Sequence, residues 1–183
     1  MTRLAGVLLA ATLSCAPAPP PHPVNAMTDS APFALALETG PGPSLRAVLR
    51  NVSPRPQVVL VAPDLQPVAL EVRDAAGEAA RATDERARRK FDRTAYRDLF
   101  ETLAPGDSLE LQSGRATRAE DGTWTLRFGP WRFAGLAPGR HALRATWTSA
   151  RDGWTDRESG RRGTAQGIWK GTLEAPPATL ELP

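Results

Sequence analysis

Beyond residue 31, apolar and polar residues alternate with a period of two through most of the chain, the pattern of strands with one buried face. In PFALALE (32–38), Phe33, Leu35 and Leu37 share a face. In SLRAVLRNVS (44–53), Leu45, Ala47 and Leu49 face one way and Arg46 and Arg50 the other; Asn51 and Ser53, followed by Pro54-Arg55-Pro56, end that strand in a turn. VVLVA (58–62) is apolar without interruption, which predicts a central strand stopped by Pro63. Val68, Leu70 and Val72 alternate up to the turn residues Asp74–Gly77. The charged run 80–100 places Phe91, Tyr96 and Phe100 at no helical spacing and reads as a long connection between sheets. Two LAPG turns follow, Leu103–Gly106 and Leu136–Gly139. The first precedes Leu109 and Leu111, the second His141, Leu143, Ala145 and Trp147, and Trp124, Leu126 and Phe128 alternate between them. Residues 168–182 supply the last strand or strands. Strand-helix alternation is missing, so the expected class is all-β: an antiparallel β-sandwich of seven to nine strands with Greek-key connections over residues 32–183.

The first 31 residues break this pattern. Arg3 precedes an apolar run, Leu4–Leu13, of ten residues. That is about half the length a bilayer-spanning helix needs, and it fits a secretory signal over residues 1–14. Cutting after Ala16 or Ala18 would put Pro17 or Pro19 next to the scissile bond. Cutting after Ala26 avoids proline but lies far beyond the apolar run, and initiation at Met27 would omit the segment altogether. Thr12-Leu13-Ser14-Cys15 resembles the lipobox of bacterial lipoproteins, in which the cysteine becomes the lipidated first residue; Thr12 stands where leucine is usual. Residues 15–31 then read as a lipid-bearing, Pro-rich tether. This implies a location at the cell envelope, with a periplasmic or secreted protein as the alternative. Cys15 is the sole cysteine, so an internal disulfide, a thiolate metal site and a Cys-His catalytic pair are excluded from the sandwich.

About 150 residues beyond the tether suffice for one domain with a sizeable core. The net charge is only +3 although the isoelectric point is near 9.7, because interleaved acids offset a base complement that is nearly all arginine. A nucleic-acid binder would show a basic face without such acids, so nucleic acid is not an expected partner.

Asn51–Ser53 with Arg55-Pro56 and Leu60, LEVRDAAGE (70–78), Phe100-x-Thr102 leading into LAPG-Asp-Ser, LAPG-Arg-His and Trp169-x-Gly-Thr-Leu-x-x-Pro together resemble immunoglobulin-like and fibronectin-like domains of bacterial secreted lipoproteins. Related domains accompany secreted metallopeptidases or occur in a bacterial proteinase-inhibitor family. The resemblance spans roughly residues 31–183 and rests on fold motifs, which carry no chemistry. It implies that His141 occupies the place of a corner tyrosine bonded to nearby backbone.

Catalytic and metal-binding signals are weak throughout. His22 and His141 are the two histidines, neither H-E-x-x-H nor G-x-S-x-G occurs, and the Asp84/Glu85 and Glu120/Asp121 pairs lack a calcium-loop spacing. Glu120-Asp121-Gly122 reads as a hairpin turn. Trp124, Trp131 and Trp147 fall on strand patterns and are expected in the core. Trp154 instead lies in a Gly- and Arg-rich loop, 150–167, with Arg151, Arg157, Arg161 and Arg162. Trp and Arg are favoured at interface hot spots, so Trp154, Arg157, Arg161 and Arg162 are the candidate partner-binding residues. The run 84–93 sets Arg86, Arg88, Arg89, Lys90 and Arg93 against three acids and could meet anionic headgroups or envelope polymer. The expected function is a non-catalytic binding or accessory module of the cell envelope, without cofactor or metal, held to the membrane by a lipid on Cys15 and meeting a protein or envelope polymer. The alternative is a secreted or periplasmic proteinase inhibitor presenting a loop.

Overall fold

Each alternating segment becomes a strand in the computed structural model, which describes residues 31–88 and 92–183. The signal segment, Cys15 and nearly all of the proline tract lie outside these residues, as do Arg89, Lys90 and Phe91. In chain order the strands are β1 (Phe33–Thr39), β2 (Ser44–Asn51), β3 (Gln57–Leu60), β4 (Ala69–Arg73), β5 (Ala82–Asp84), β6 (Phe100–Leu103), β7 (Ser108–Arg118), β8 (Trp124–Phe128), β9 (Trp131–Leu136), β10 (Gly139–Ser149), β11 (Gly153–Thr155), β12 (Arg162–Thr164), β13 (Gly171–Glu174) and β14 (Ala178–Leu182). Two single 3₁₀ turns, Glu85–Arg88 and Arg97–Leu99, are the helical elements among the described residues.

The protein is an all-β antiparallel sandwich. One sheet has the order β1-β2-β7-β8-β9-β5. The other is built around β10, whose residues 142–146 pair with β4. Its opposite edge is shared by β14, along 139–143, and β13, along 146–149. Pro176 and Pro177, which cannot donate a ladder hydrogen bond, divide that edge into two strands. The fourteen strands among the described residues exceed the seven to nine expected. The excess is β5, β6, β11 and β12, of three or four residues each and too short to show alternation, and β9, whose burial is irregular because a register shift interrupts its pairing with β8.

Leu35, Leu49, Leu126, Phe128 and Phe133 line the inner face of the six-stranded sheet and meet Val72, Leu143, Trp147 and Leu180 from the other. A bulge in β7 alters this packing. Ala47 pairs with Gln112 but Val48 with Glu110, leaving Leu111 as an extra residue, so Leu111 and Gln112 both turn inward. Gln112 then crosses the core: its Oε1 accepts from the Val68 N–H at 3.1 Å, and its Nε2 donates to the carbonyls of Phe128 at 3.1 Å and Val68 at 3.3 Å. Gly114, two residues on, has its Cα so close to β8 that a Cβ would lie 2.3 Å from the Arg127 carbonyl.

Several local expectations meet their structures here. His141 is buried and its Nε2 donates to the Ala137 carbonyl at 2.9 Å. Asp121 accepts from the Thr123 N–H and hydroxyl across the β7–β8 turn, where Gly122 takes φ +85°. Trp124 and Trp147 are buried. Trp131 is only half-buried at the rim, where its Nε1 donates to the Val68 carbonyl at 2.7 Å under the Arg86 guanidinium.

VVLVA is not a central strand. Residues 57–60 pair with β6 in a two-stranded ribbon, joined on the other side by a single parallel bridge from Val58 to Ile168. Its continuous apolarity comes from cover on two sides: Val59 enters the main core, while Leu60 and Ala62 join Ala95 in a second cluster packed by Leu65, Leu99, Phe100 and Ile168. That cluster anchors the segment 92–100, on which the candidate site is built.

Candidate functional site

Residues 150–167 form a hairpin between β10 and β13, with β11 and β12 paired as Gly153↔Thr164, Trp154↔Gly163 and Thr155↔Arg162. At its tip the Asp156 carboxylate accepts from the Ser159 N–H at 2.8 Å and hydroxyl at 2.7 Å, and Gly160 takes φ +68°. These bonds hold the Asp156 carboxyl below its ordinary range. Gly163 is required by Trp154, since a Cβ there would lie 2.4 Å from the indole ring.

The hairpin is seated along the segment 92–99. The Thr155 N–H donates to the Ala95 carbonyl at 2.9 Å, and Tyr96 and Thr155 form a parallel bridge. Arg157 makes a forked ion pair with Asp98, its Nε 2.9 Å from Oδ2, and its guanidinium lies 3.7 Å from the Tyr96 ring centroid. The Tyr96 phenol in turn donates to Asp92. Arg97 covers the Trp154 ring at 5.1 Å. At the hairpin base, Arg151 donates to the Arg93 carbonyl at 2.9 Å, Lys170 pairs with Asp152 at 2.7 Å, and the Ser149 hydroxyl donates to the Trp169 carbonyl.

The four candidate residues therefore separate into two pairs. Trp154 and Arg157 are engaged within the molecule, as the parts of the hairpin that fit its seat. Arg161 and Arg162 project from the far strand, exposed and without a side-chain partner among the described residues. Sequence reasoning missed Tyr96, Arg97 and Asp98, which supply the seat. Their partners lie about 60 positions away, and no local pattern marks such a pairing. Arg97, Asp98, Asp156, Arg157 and Glu158 line an open groove of about 470 Å³ along the junction. It is lined by both charge signs, with Arg157 and Asp98 paired to each other. In the basic run 84–93, Arg86 is committed to Asp84, donates to the Asp64 carbonyl and lies over Trp131, so it is not a free surface charge.

Asp92, Asp152 and Asp156 all have pKa values below the ordinary carboxylate range: Asp92 chiefly through the Tyr96 phenol, Asp152 through Lys170 and Asp156 through Ser159. A carboxyl lowered in the folded state binds fewer protons there than when released. The seat is consequently strongest above about pH 4 and weakens as pH falls through the lowered values. Amide resonances of Thr155 and Gly163 are expected to hold between pH 7 and pH 5 and to shift toward unstructured positions by pH 2.5, before those of β10. Simultaneous loss of both sets would show that the hairpin has no separate docking equilibrium.

Among the described residues no group of three or more His, Cys, Asp or Glu side chains is placed to hold a metal ion, and no helix is long and apolar enough to cross a membrane. No protein-family model, curated protein or solved structure matches the chain.

Proposed function

We propose that this chain is a non-catalytic binding module of a bacterial cell envelope, lipid-anchored through Cys15, which engages a protein partner through the seated hairpin 150–167. The observation that supports this reading is the division of labour in the hairpin. Trp154, Arg157 and the 92–99 segment fix its geometry, so Arg161 and Arg162 are offered from a preorganised support at reduced entropic cost. Their planar forks suit carboxylates. The same fixing is also what the alternative, a proteinase inhibitor, requires of a presented loop, since this Gly-rich hairpin is held by the 92–99 segment rather than by a disulfide.

Photocrosslinking from position 159 in the native envelope separates these readings. A defined adduct, reduced about tenfold by Arg161→Glu/Arg162→Glu with the fold retained, is expected. An adduct unaffected by that double variant would sink the hairpin as the contact. If the adduct is a protease that the purified protein inhibits, the alternative replaces the main reading. Intact mass and sequencing of the mature N-terminal peptide tests the anchor: an acylated Cys15 is expected, and an unmodified chain starting at Met27 would remove it.

A further inference from the structure

The outer face of the six-stranded sheet carries a line of arginines. Opposite residues in neighbouring antiparallel strands point to the same side, with Cβ atoms about 5 Å apart. Arg115 on β7 is opposite Arg127 on β8, and Arg127 is opposite Arg132 on β9. The row continues to a hydroxyl at each end, Ser44 on β2 opposite Arg115 and Thr83 on β5 opposite Arg132. Five strands at about 4.8 Å spacing make it roughly 19 Å long.

Like charges placed directly opposite one another oppose sheet pairing, and this row has one counter-charge. Glu85 takes Arg127, its carboxylate 3.0 and 3.1 Å from Nη1. Arg115 and Arg132 have no side-chain partner among the described residues, and Arg132 Nε is shut off from solvent without a hydrogen bond. The other acids on this face lie outside the row: Glu38 is paired with Arg46, and Glu110 is opposite Val48. Three arginines aligned across one sheet at the strand repeat, with most of their charge unopposed, match a ligand that carries anionic groups at regular short intervals.

We infer that this row is a binding site for a linear polyanion, a chain bearing repeated phosphate or carboxylate groups that lies across the strands. Arg115 and the Nη groups of Arg132 offer donors to anionic groups, and Arg127, held by Glu85 through Nη1, keeps its other N–H groups for one. Thr83 adds a hydroxyl at one end, whereas the Ser44 hydroxyl is already donated to the Pro41 carbonyl. The shape of the charge favours a chain over a bilayer. The row is bordered by Ser113 and Thr117 on β7 and by Thr125 on β8, and the other arginines of this face stand apart from it on β2, Arg46 opposite Ser113 and neutralised by Glu38 and Arg50 further along opposite Ser108. Apolar side chains for insertion among lipids are also lacking, since Val52 is the one large hydrophobic residue strongly exposed among the described residues. This site is separate from the hairpin and does not depend on the function proposed for it.

The test titrates the full chain with fluorescent sodium polyphosphate and, separately, with polyglutamate, at 50 and 200 mM salt. Saturable binding to at least one of them is expected, weakened by salt through counterion release. Arg115→Gln/Arg127→Gln/Arg132→Gln should lower affinity at least tenfold and flatten the salt dependence, whereas Arg161→Gln/Arg162→Gln should leave both unchanged. The polymer bound more tightly identifies phosphate or carboxylate as the preferred group, and either supports the site. A triple variant that binds both polymers like wild type would overturn it. So would vesicles of 30 mol% phosphatidylglycerol in phosphatidylcholine displacing the polymer at equal anionic charge. A second readout needs no ligand: Arg115→Gln should raise the melting temperature at 10 mM salt and lose that gain at 500 mM, as screening removes the repulsion. A melting temperature unchanged or lowered at 10 mM salt would show that the row is not electrostatically strained, and would count against the site.

Discussion

Trp147→Ala is expected to lower the free energy of unfolding by about 3–5 kcal/mol, more than any other single substitution considered for this protein. Trp147 is 1% exposed, and its ring stacks on Trp169 with centroids 5.9 Å apart. Trp169 in turn meets Phe33 of β1 edge-on at 5.7 Å. Removing the indole therefore opens a cavity where the β10 sheet meets the first strand of the other, and neighbours fixed in ladders can close little of it. The indole Nε1 also donates to the Gln66 carbonyl at 3.1 Å, so that buried acceptor loses its partner. The consequence extends to the site, because Ser149 and Trp169 at the hairpin base are joined by a hydrogen bond directly beside this stack. Equilibrium denaturation should show a fall in melting temperature of roughly 10 °C for a chain of this size. A shift under about 3 °C would mean that the core collapses into the space and that the stack contributes little.

Gln112→Leu should cost about 2–4 kcal/mol despite near-equal volume. The substitution removes no bulk. It does leave the Val68 N–H and the Phe128 carbonyl without their side-chain partner in the core. The remaining Val68 carbonyl still accepts from Trp131 Nε1, so it is not orphaned. Urea titration of wild type, Gln112→Leu and Gln112→Glu separates the contributions, since the glutamate keeps an acceptor for Val68 and gives up both donors. Equal stability of the leucine variant and wild type would show that Gln112 is a tolerated passenger of the bulge rather than a pin between sheets.

How far the sequence carried is clearest from particular elements. Strands β1, β2, β4, β8 and β10 follow the alternation of Leu, Val and aromatic residues with Arg, Thr and Glu, because one-sided burial imposes a period of two. His141, the Glu120–Gly122 turn and the burial of Trp124 and Trp147 were legible for the same reason: each depends on residues within a few positions or on a strong strand pattern. The β7 bulge was not legible, since Leu111-Gln112 reads as ordinary alternation until the partner strand shifts by one residue. VVLVA was misplaced because burial on both faces looks the same whether a strand lies mid-sheet or in a ribbon beneath a second cluster.

The candidate site divides along the same line. Composition and a long Gly-rich interval marked residues 150–167, and Trp154, Arg157, Arg161 and Arg162 could be named from the chain alone. Which of them are occupied could not. Asp98 and Tyr96 reach Arg157 across about 60 residues, and the row of Arg115, Arg127 and Arg132 exists only through strand register. The sequence by itself determined the all-β class, the faces of the longer strands and the local turns, because these depend on periodicity and on backbone preferences a few residues wide. Tertiary structure alone decided which charges are neutralised and which stand together unopposed, because Coulomb interactions follow distance in space, and strand pairing sets that distance without leaving a mark in the local sequence.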